Sequence, residues 1–212
     1  MKTDDLIGAI AQDGALRGSS VAMRMTGALA AGGLVAGALF VHTLGIRPDI
    51  ANALQTWRFP TKVLIALSCF AAALWASVLL ARPDAGRRKV HFALALPIAL
   101  LAVAIGWELL QSPAATWPVL AVGSNSRLCV VSILELSIAP LAALLVALRA
   151  GAPSSPALAG AAAGLIAGGL AATLYGIHCF DDSPLFVALW YVPAVALVAL
   201  VGSAIGYRLL RW

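Results

Sequence analysis

The sequence predicts an all-α membrane protein, a polytopic bundle of six transmembrane helices with both termini in the cytoplasm. Three observations predict it. Hydrophobic residues make up 62% of the chain and charged residues only 11%, against roughly 45–50% and about 25% in soluble domains. The apolar residues gather into six continuous stretches, each of the roughly 20 residues that a helix needs to cross a hydrocarbon core of about 30 Å. The basic residues behind the net charge of +5 stand at the ends of those stretches, not among aromatics along one face. That pattern orients a membrane protein and argues against direct contact with nucleic acid.

The predicted spans cover about 25–45, 62–81, 91–110, 129–148, 157–177 and 185–207. The gaps read GIRPDIANALQTWRFPT, RPDAGRRKV, QSPAATWPVLAVGSNSR, RAGAPSSP and HCFDDSP, all turn chemistry or charge. The apolar runs do not alternate, which excludes a closed barrel. Their backbone must therefore be satisfied within helices. Residues 1–24 form a separate short cytoplasmic segment, and 25–212 the transmembrane domain. Asp4, Asp5 and Asp13 interrupt the segment, so it is expected to remain rather than be cleaved as a signal peptide.

Lys and Arg set the orientation. With the N-terminus inside, the cytoplasmic side holds Lys2, Arg17, Arg24, Arg82, Arg87, Arg88, Lys89, Arg149, Arg208 and Arg211. The other side holds only Arg47, Arg58, Lys62 and Arg127, which completes the 14. The excess of cations inside favours N-in, C-in. Four Gly-xxx-Gly pairs, Gly33/Gly37, Gly160/Gly164, Gly164/Gly168 and Gly202/Gly206, are expected to pack helices against one another within the bundle. In the last outer loop, Ser183 is a natural N-cap with Pro184 at the first helical position, and Asp181 and Asp182 favour the positive helix end.

That topology sorts the chemistry. Cys69 falls inside the second span and reads as a small core hydrophobe. Cys129, at the start of the fourth span, and Cys179, in the last outer loop, come to the same face at similar depth. An oxidising outer compartment favours a disulfide or a reversible thiol pair there. Two unrelated thiols remain the alternative, because a bond requires Cα atoms within about 7 Å.

His178, Asp181, Asp182 and Glu108 collect at the same face, with His42 near the outer end of the first span. Glu135 lies six residues past Cys129, about 9 Å deeper, and is expected to face the bundle interior. Cys129, Cys179 and His178 are a conceivable thiophilic metal set, although the spacing matches no closed structural site. No cofactor is expected, and the motifs CxxC, HExxH, GxSxG and the P-loop are absent. The chain therefore does not read as an enzyme. The head is patterned: Thr3 caps a helix opening with Asp4 and Asp5, and Leu6, Ile7 and Ile10 line one face. An acidic-apolar face of this kind suits a protein partner with a basic groove better than an anionic lipid surface.

The start MKTDDLI, the stretch LRAGAPSSPALAGAAAG and above all GIHCFDDSPLFVALWY resemble the membrane-bound anti-sigma factors called negative regulator of sigma F. The resemblance covers essentially the whole chain, including Leu128–Cys129 and Pro140. It implies a six-span inner-membrane protein that holds an extracytoplasmic-function sigma factor inactive at the cytoplasmic face. The family's N-terminal motif falls on Lys2, Thr3, Asp4, Asp5, Leu6 and Ile7, and its paired outer cysteines on Cys129 and Cys179. On this reading the head, with Ile10 and the loop cations Arg87, Arg88 and Lys89, docks the sigma factor. A redox or metal change at the cysteines releases it. The competing classes are a small membrane transporter and a membrane thiol-disulfide protein; the first would need polar residues at mid-membrane in several spans, the second a closely spaced reactive pair.

Overall fold

A computed structural model of the chain describes residues 21–80, 87–151, 153 and 155–211. Among these, all regular structure is helical. The helices are α1 (Val21–Thr43), α2 (Ile50–Ala53), α3 (Arg58–Leu80), α4 (Arg87–Gln111), α5 (Trp117–Val122), α6 (Ser126–Leu148), α7 (Pro156–His178), α8 (Pro184–Phe186) and α9 (Val192–Leu209). A π-helical turn at Val187–Tyr191 joins α8 to α9, so that Pro184–Leu209 is one continuous span. Six helices are long and apolar enough to cross a membrane, as expected. Large apolar side chains on their flanks are bare, Leu110 at 84% and Phe92 at 81% exposure. A water-soluble monomer does not tolerate such a belt, whereas lipid accepts it.

The helices begin earlier than hydropathy alone indicates, because polar first turns are stabilised locally. Arg58 opens α3 with its guanidinium paired to Glu108. Pro156 and Pro184 occupy first helical positions where the missing N–H costs nothing. Ser183 caps the final span as expected, its Oγ accepting from Leu185 N at 3.2 Å. The third gap is not a plain loop: it contains a 3₁₀ turn at Ala114–Thr116 and the helix α5. Arg87–Lys89, expected in a loop, form the backbone of the first turn of α4. The docking residues predicted between Lys2 and Ile10 lie outside the described residues.

α7 is the axis of the bundle. It packs most extensively on α9, then on α3 and α6, while α1 rests on α6 and α4 on α3. Its surface of Ala and Gly permits this crowding. A methyl group on Gly164 would stand 2.6 Å from Ala199 Cα and Val198 O, and one on Gly206 would stand 2.7 Å from Pro156 O. Without a hydrophobic drive inside lipid, such backbone approach is what joins helices. Gly32 does the same for α1, where a methyl would meet Pro140 Cα at 2.5 Å. The expectation fails at Gly37, which has nothing within 4 Å of an added methyl, while a methyl on Gly33 would meet only the end of the Leu170 side chain at 3.6 Å; both line an open groove on α1.

Gly164→Val is expected to lower stability by about 1–3 kcal/mol through overpacking, while Gly37→Val, with free space around it, leaves stability nearly unchanged. Thermal unfolding of both variants in the same detergent checks this; equal losses would show that the α7–α9 seam is not the tight contact described.

Candidate functional site

At the His178 end of the bundle, four separate segments converge: the loop after α1, the start of α3, the turn between α5 and α6, and the connection from α7 to α8. Helix α7 runs out at His178 and the backbone becomes extended at Cys179, whose N–H still bonds Tyr175 O at 3.0 Å. Cys129 lies in the first turn of α6. Both cysteines are free thiols, buried to 0% and 1% exposure in one cluster with Tyr175, Phe186 and Tyr191. The π turn brings Tyr191 into this cluster; its ring lies 5.9 Å from that of Tyr175 and 6.2 Å from that of Phe186. Such turns recur at functional sites because they re-aim a side chain. The hydroxyls of Tyr175 and Tyr191 lie near Cys179, whose sulfur is a weak acceptor, and neither has another partner.

An ion-paired lid covers the thiols. Lys62 is buried, and its Nζ donates to Cys179 O at 2.8 Å, Asp181 O at 3.3 Å and Asp182 Oδ1 at 2.5 Å. Arg47, 5% exposed, donates to Cys179 O at 3.1 Å and to both oxygens of Asp182 at 2.9–3.0 Å. Its other edge makes a two-point contact with Asp49 at 2.8 Å. The guanidinium also lies 4.8 Å from the Phe180 ring centroid, within cation–π range. Hydrogen bonding to Asp49, ahead of that to Asp182, holds the Arg47 guanidinium above its ordinary pKa against the opposing effect of burial. Arg47 in turn holds the exposed Asp49 carboxyl below the usual range. Burial pushes the Cys179 thiol up, while nearby Lys62 pulls it partly back. The thiol is therefore protonated at neutral pH and a poor nucleophile at rest.

The other acidic residues have separate duties. Asp181 accepts from Ser124 N and Asn125 N at 3.0–3.1 Å, which fixes the approach to α6. The two acids of the DDSP run thus act on partners in other segments more than on the dipole of their own helix. Gly123 turns at φ +63°, and a methyl there would meet Asp181 Cγ at 2.8 Å, so only glycine fits. Glu108 is buried and accepts two bonds from Arg58, at 2.7 and 3.0 Å, and one from Ser112 at 3.0 Å. It fastens α4 to α3 and does not join the thiols.

Of the predicted site residues, Cys129, Cys179, Asp181 and Asp182 come together. His178 adjoins them but pairs its Nδ1 with Gly45 O at 3.1 Å, and among the described residues no three His, Cys, Asp or Glu form a metal-binding group. His42 is exposed on α1. Glu135 corrects the expectation: it is exposed in an apolar groove between α6 and α9, because Ser132, Ile133, Leu136 and Ser137 take the interior face. Cys69 is half-buried against the core, as expected. Sequence reasoning missed Arg47, Lys62, Tyr175 and Tyr191. Tyr175 carried a usable signal, since a residue four before Cys179 on a helix shares its face.

The negative regulator of sigma F family matches residues 11–212. The chain belongs to this family. It is 39% identical over 215 residues to the anti-sigma-F factor NrsF of Caulobacter vibrioides, with all of both chains covered. It is 34% identical over 213 residues to the probable anti-sigma-F factor NrsF of Azospira oryzae, again over the whole of both. No solved structure matches it.

In this family member, Asp182→Asn leaves Lys62 and Arg47 buried with too little counter-charge, an expected cost of about 3–5 kcal/mol. Asp49→Asn, at a side chain 44% exposed, should cost far less, since water screens the pair. Unfolding in detergent, followed together with alkylation of Cys179, ranks the two; a similar cost for both would remove Asp182 from its central place in the lid.

Proposed function

We propose that this protein is an inner-membrane anti-sigma factor, N-in and C-in, that sequesters an extracytoplasmic-function sigma factor at the cytoplasmic face. The head, with Lys2, Thr3, Asp4, Asp5, Leu6, Ile7 and Ile10, is the docking element, supplemented by Arg87, Arg88 and Lys89. Release follows a change at Cys129 and Cys179 on the outer face. The observation that carries the sensing half is the burial of two free thiols, about 50 residues apart in sequence, in one cluster under an ion-paired lid. The relatives named above, anti-sigma-F factors by name, support the regulatory half. Redox chemistry is favoured over a metal because, among the described residues, no three His, Cys, Asp or Glu side chains group closely enough to hold an ion.

The energetics are adequate. A hundredfold change in affinity for the sigma factor requires about 2.7 kcal/mol of difference between two folded states. A cross-link that closes a loop of about 50 residues is worth about 4 kcal/mol against an unfolded chain. Only the share that distinguishes holding from releasing states counts, so the outer ends of α6 and α7 must shift relative to each other. The close α7–α9 seam would carry that shift toward the opposite end of the bundle.

Co-expression with the sigma factor encoded beside its gene should give co-purification of the pair from membranes, and deletion of residues 1–20 should abolish it. Cys129→Ser, Cys179→Ser and the double variant should hold the sigma factor but respond to oxidant at least about tenfold less than the parent. A normal transcriptional response in the double variant would sink the thiol switch. Retained binding without the head would move docking elsewhere.

A further inference from the structure

On its aqueous side the thiol cluster is closed. Cys179 O is occupied by both Lys62 and Arg47, which are themselves buried, and the Cys179 thiol, also buried, faces Asp181 O at 3.7 Å. On its membrane side it is approached by a cavity of about 260 Å³ between α3, α4, α7 and the final span. The walls are hydrocarbon except for Cys69 and Tyr191, and Ile98 and Ala196 at its edge are exposed on the flank of the bundle. Tyr191 belongs to both places: it lines the cavity, it packs in the thiol cluster, and its buried hydroxyl has no partner. Tyr175, equally unpartnered and fully buried, offers a second hydroxyl at the same sulfur. Two unsatisfied buried donors beside a thiol leave a place for an acceptor that the reduced protein lacks.

We propose that the thiol pair is addressed from within the membrane by a small apolar organic hydroperoxide, which enters this cavity and oxidises Cys179, the added oxygen taking hydrogen bonds from the Tyr175 and Tyr191 hydroxyls. This rests on the redox reading above. The sulfur attacks the terminal peroxide oxygen; an S–O bond forms as the O–O bond breaks. Sulfur gives up two electrons, and the thiol proton leaves with the alkoxide as an alcohol. Cys179 becomes a sulfenic acid, an acceptor where the thiol was a poor one. The Cys129 sulfur then displaces that oxygen: an S–S bond forms, the S–O bond breaks, and water leaves with the Cys129 proton. The cavity suits the reactant, since a dry pocket of about 150 Å³ accommodates a molecule the size of benzene. Burial of the hydrocarbon body supplies the attraction that hydrogen peroxide lacks. The closed lid, meanwhile, keeps oxidants dissolved in water away from the sulfur.

The test uses the full-length Cys129→Ser protein in membrane vesicles, so that sulfenic acid on Cys179 persists and is trapped with a cyclic dione, its position read by peptide mass spectrometry. Cumene hydroperoxide should label Cys179 at least about tenfold faster than hydrogen peroxide at equal aqueous concentration, because only the former is drawn into the cavity. Ala196→Phe, at an exposed position on the cavity wall, should bring the cumene hydroperoxide rate down to that of hydrogen peroxide. Tyr191→Phe should lower the trapped yield without lowering the temperature of thermal unfolding in detergent. Equal rates for the two oxidants, undiminished labelling in Ala196→Phe, or labelling of Cys69 in place of Cys179 would overturn the proposal. Labelling in the expected pattern without release of a sigma factor from the protein with both cysteines intact would refute the release mechanism and leave the membrane route standing.

Discussion

The grip of Lys62 and Arg47 on Asp182 and on the carbonyl of Cys179 is the constraint on which the His178 end of the molecule depends. It ties together three of the four segments that meet there: the loop after α1, the first turns of α3, and the connection from α7 to the final span. None of these is long enough or apolar enough to order itself by burial. Each cation has given up water, and such desolvation is tolerable only with close geometry and further hydrogen bonds. Those bonds are present, three donated by the Lys62 ammonium and both edges of the Arg47 guanidinium filled. The backbone carbonyl of Cys179 is thereby fixed from two directions. Chemistry at the Cys179 sulfur that rotates this residue has to disturb the lid.

Below the lid the bundle is built differently. Among the described residues, small residues and apolar contacts join the helices there, with the Arg58–Glu108 pair fastening α4 to α3. Backbones meet closely at Gly160, Gly164, Gly202 and Gly206. A seam of this kind is a stiff joint, since no side chain intervenes that could repack to absorb a displacement. α7 begins in that seam and ends beside Cys179, so a tilt imposed at one end has little compliance on the way to the other. The π turn is the complementary element: an unstable local geometry at the position where Tyr191 must reach the thiols.

Class, span number and the placement of both thiols at one end of the bundle were legible in the sequence, because they follow from hydropathy and the length of a helix. So was the Ser183–Pro184 start of the last span, which is local chemistry. Glu135 was not, because hydropathy gives the depth of a residue but not the azimuth of its helix face. The lid was half legible. Four cations against ten identified Arg47, Arg58, Lys62 and Arg127 as the minority side, and Asp181 and Asp182 fell on that side too. The specific pairing of Lys62 and Arg47 with Asp182, and of Asp181 with Ser124 and Asn125, depends on which helices are neighbours, and no spacing within one segment encodes that. Tyr191 is the hardest case: five residues of π turn shift the register on which any helical-wheel argument would rest.

The two tyrosine hydroxyls connect these observations. A buried donor without a full partner costs up to about 1–3 kcal/mol, and in the reduced protein the Tyr175 and Tyr191 hydroxyls meet nothing better than the weakly accepting Cys179 sulfur. An acceptor on Cys179 relieves both at once, and the relief is of the same order as the roughly 2.7 kcal/mol that a hundredfold change in partner affinity demands. Under the proposed function, the bias between holding and releasing states is then set as much by these hydroxyls as by the covalent bond between Cys129 and Cys179. Phenylalanine at both tyrosine positions removes the deficit without touching a thiol. The cysteines would still oxidise, but the reduced state would lose its strain, and the step from holding to releasing would shrink. A cysteine substitution removes the signal; a tyrosine substitution would reduce its amplitude, a distinction that dose–response curves of sigma-factor release against oxidant resolve by their plateau.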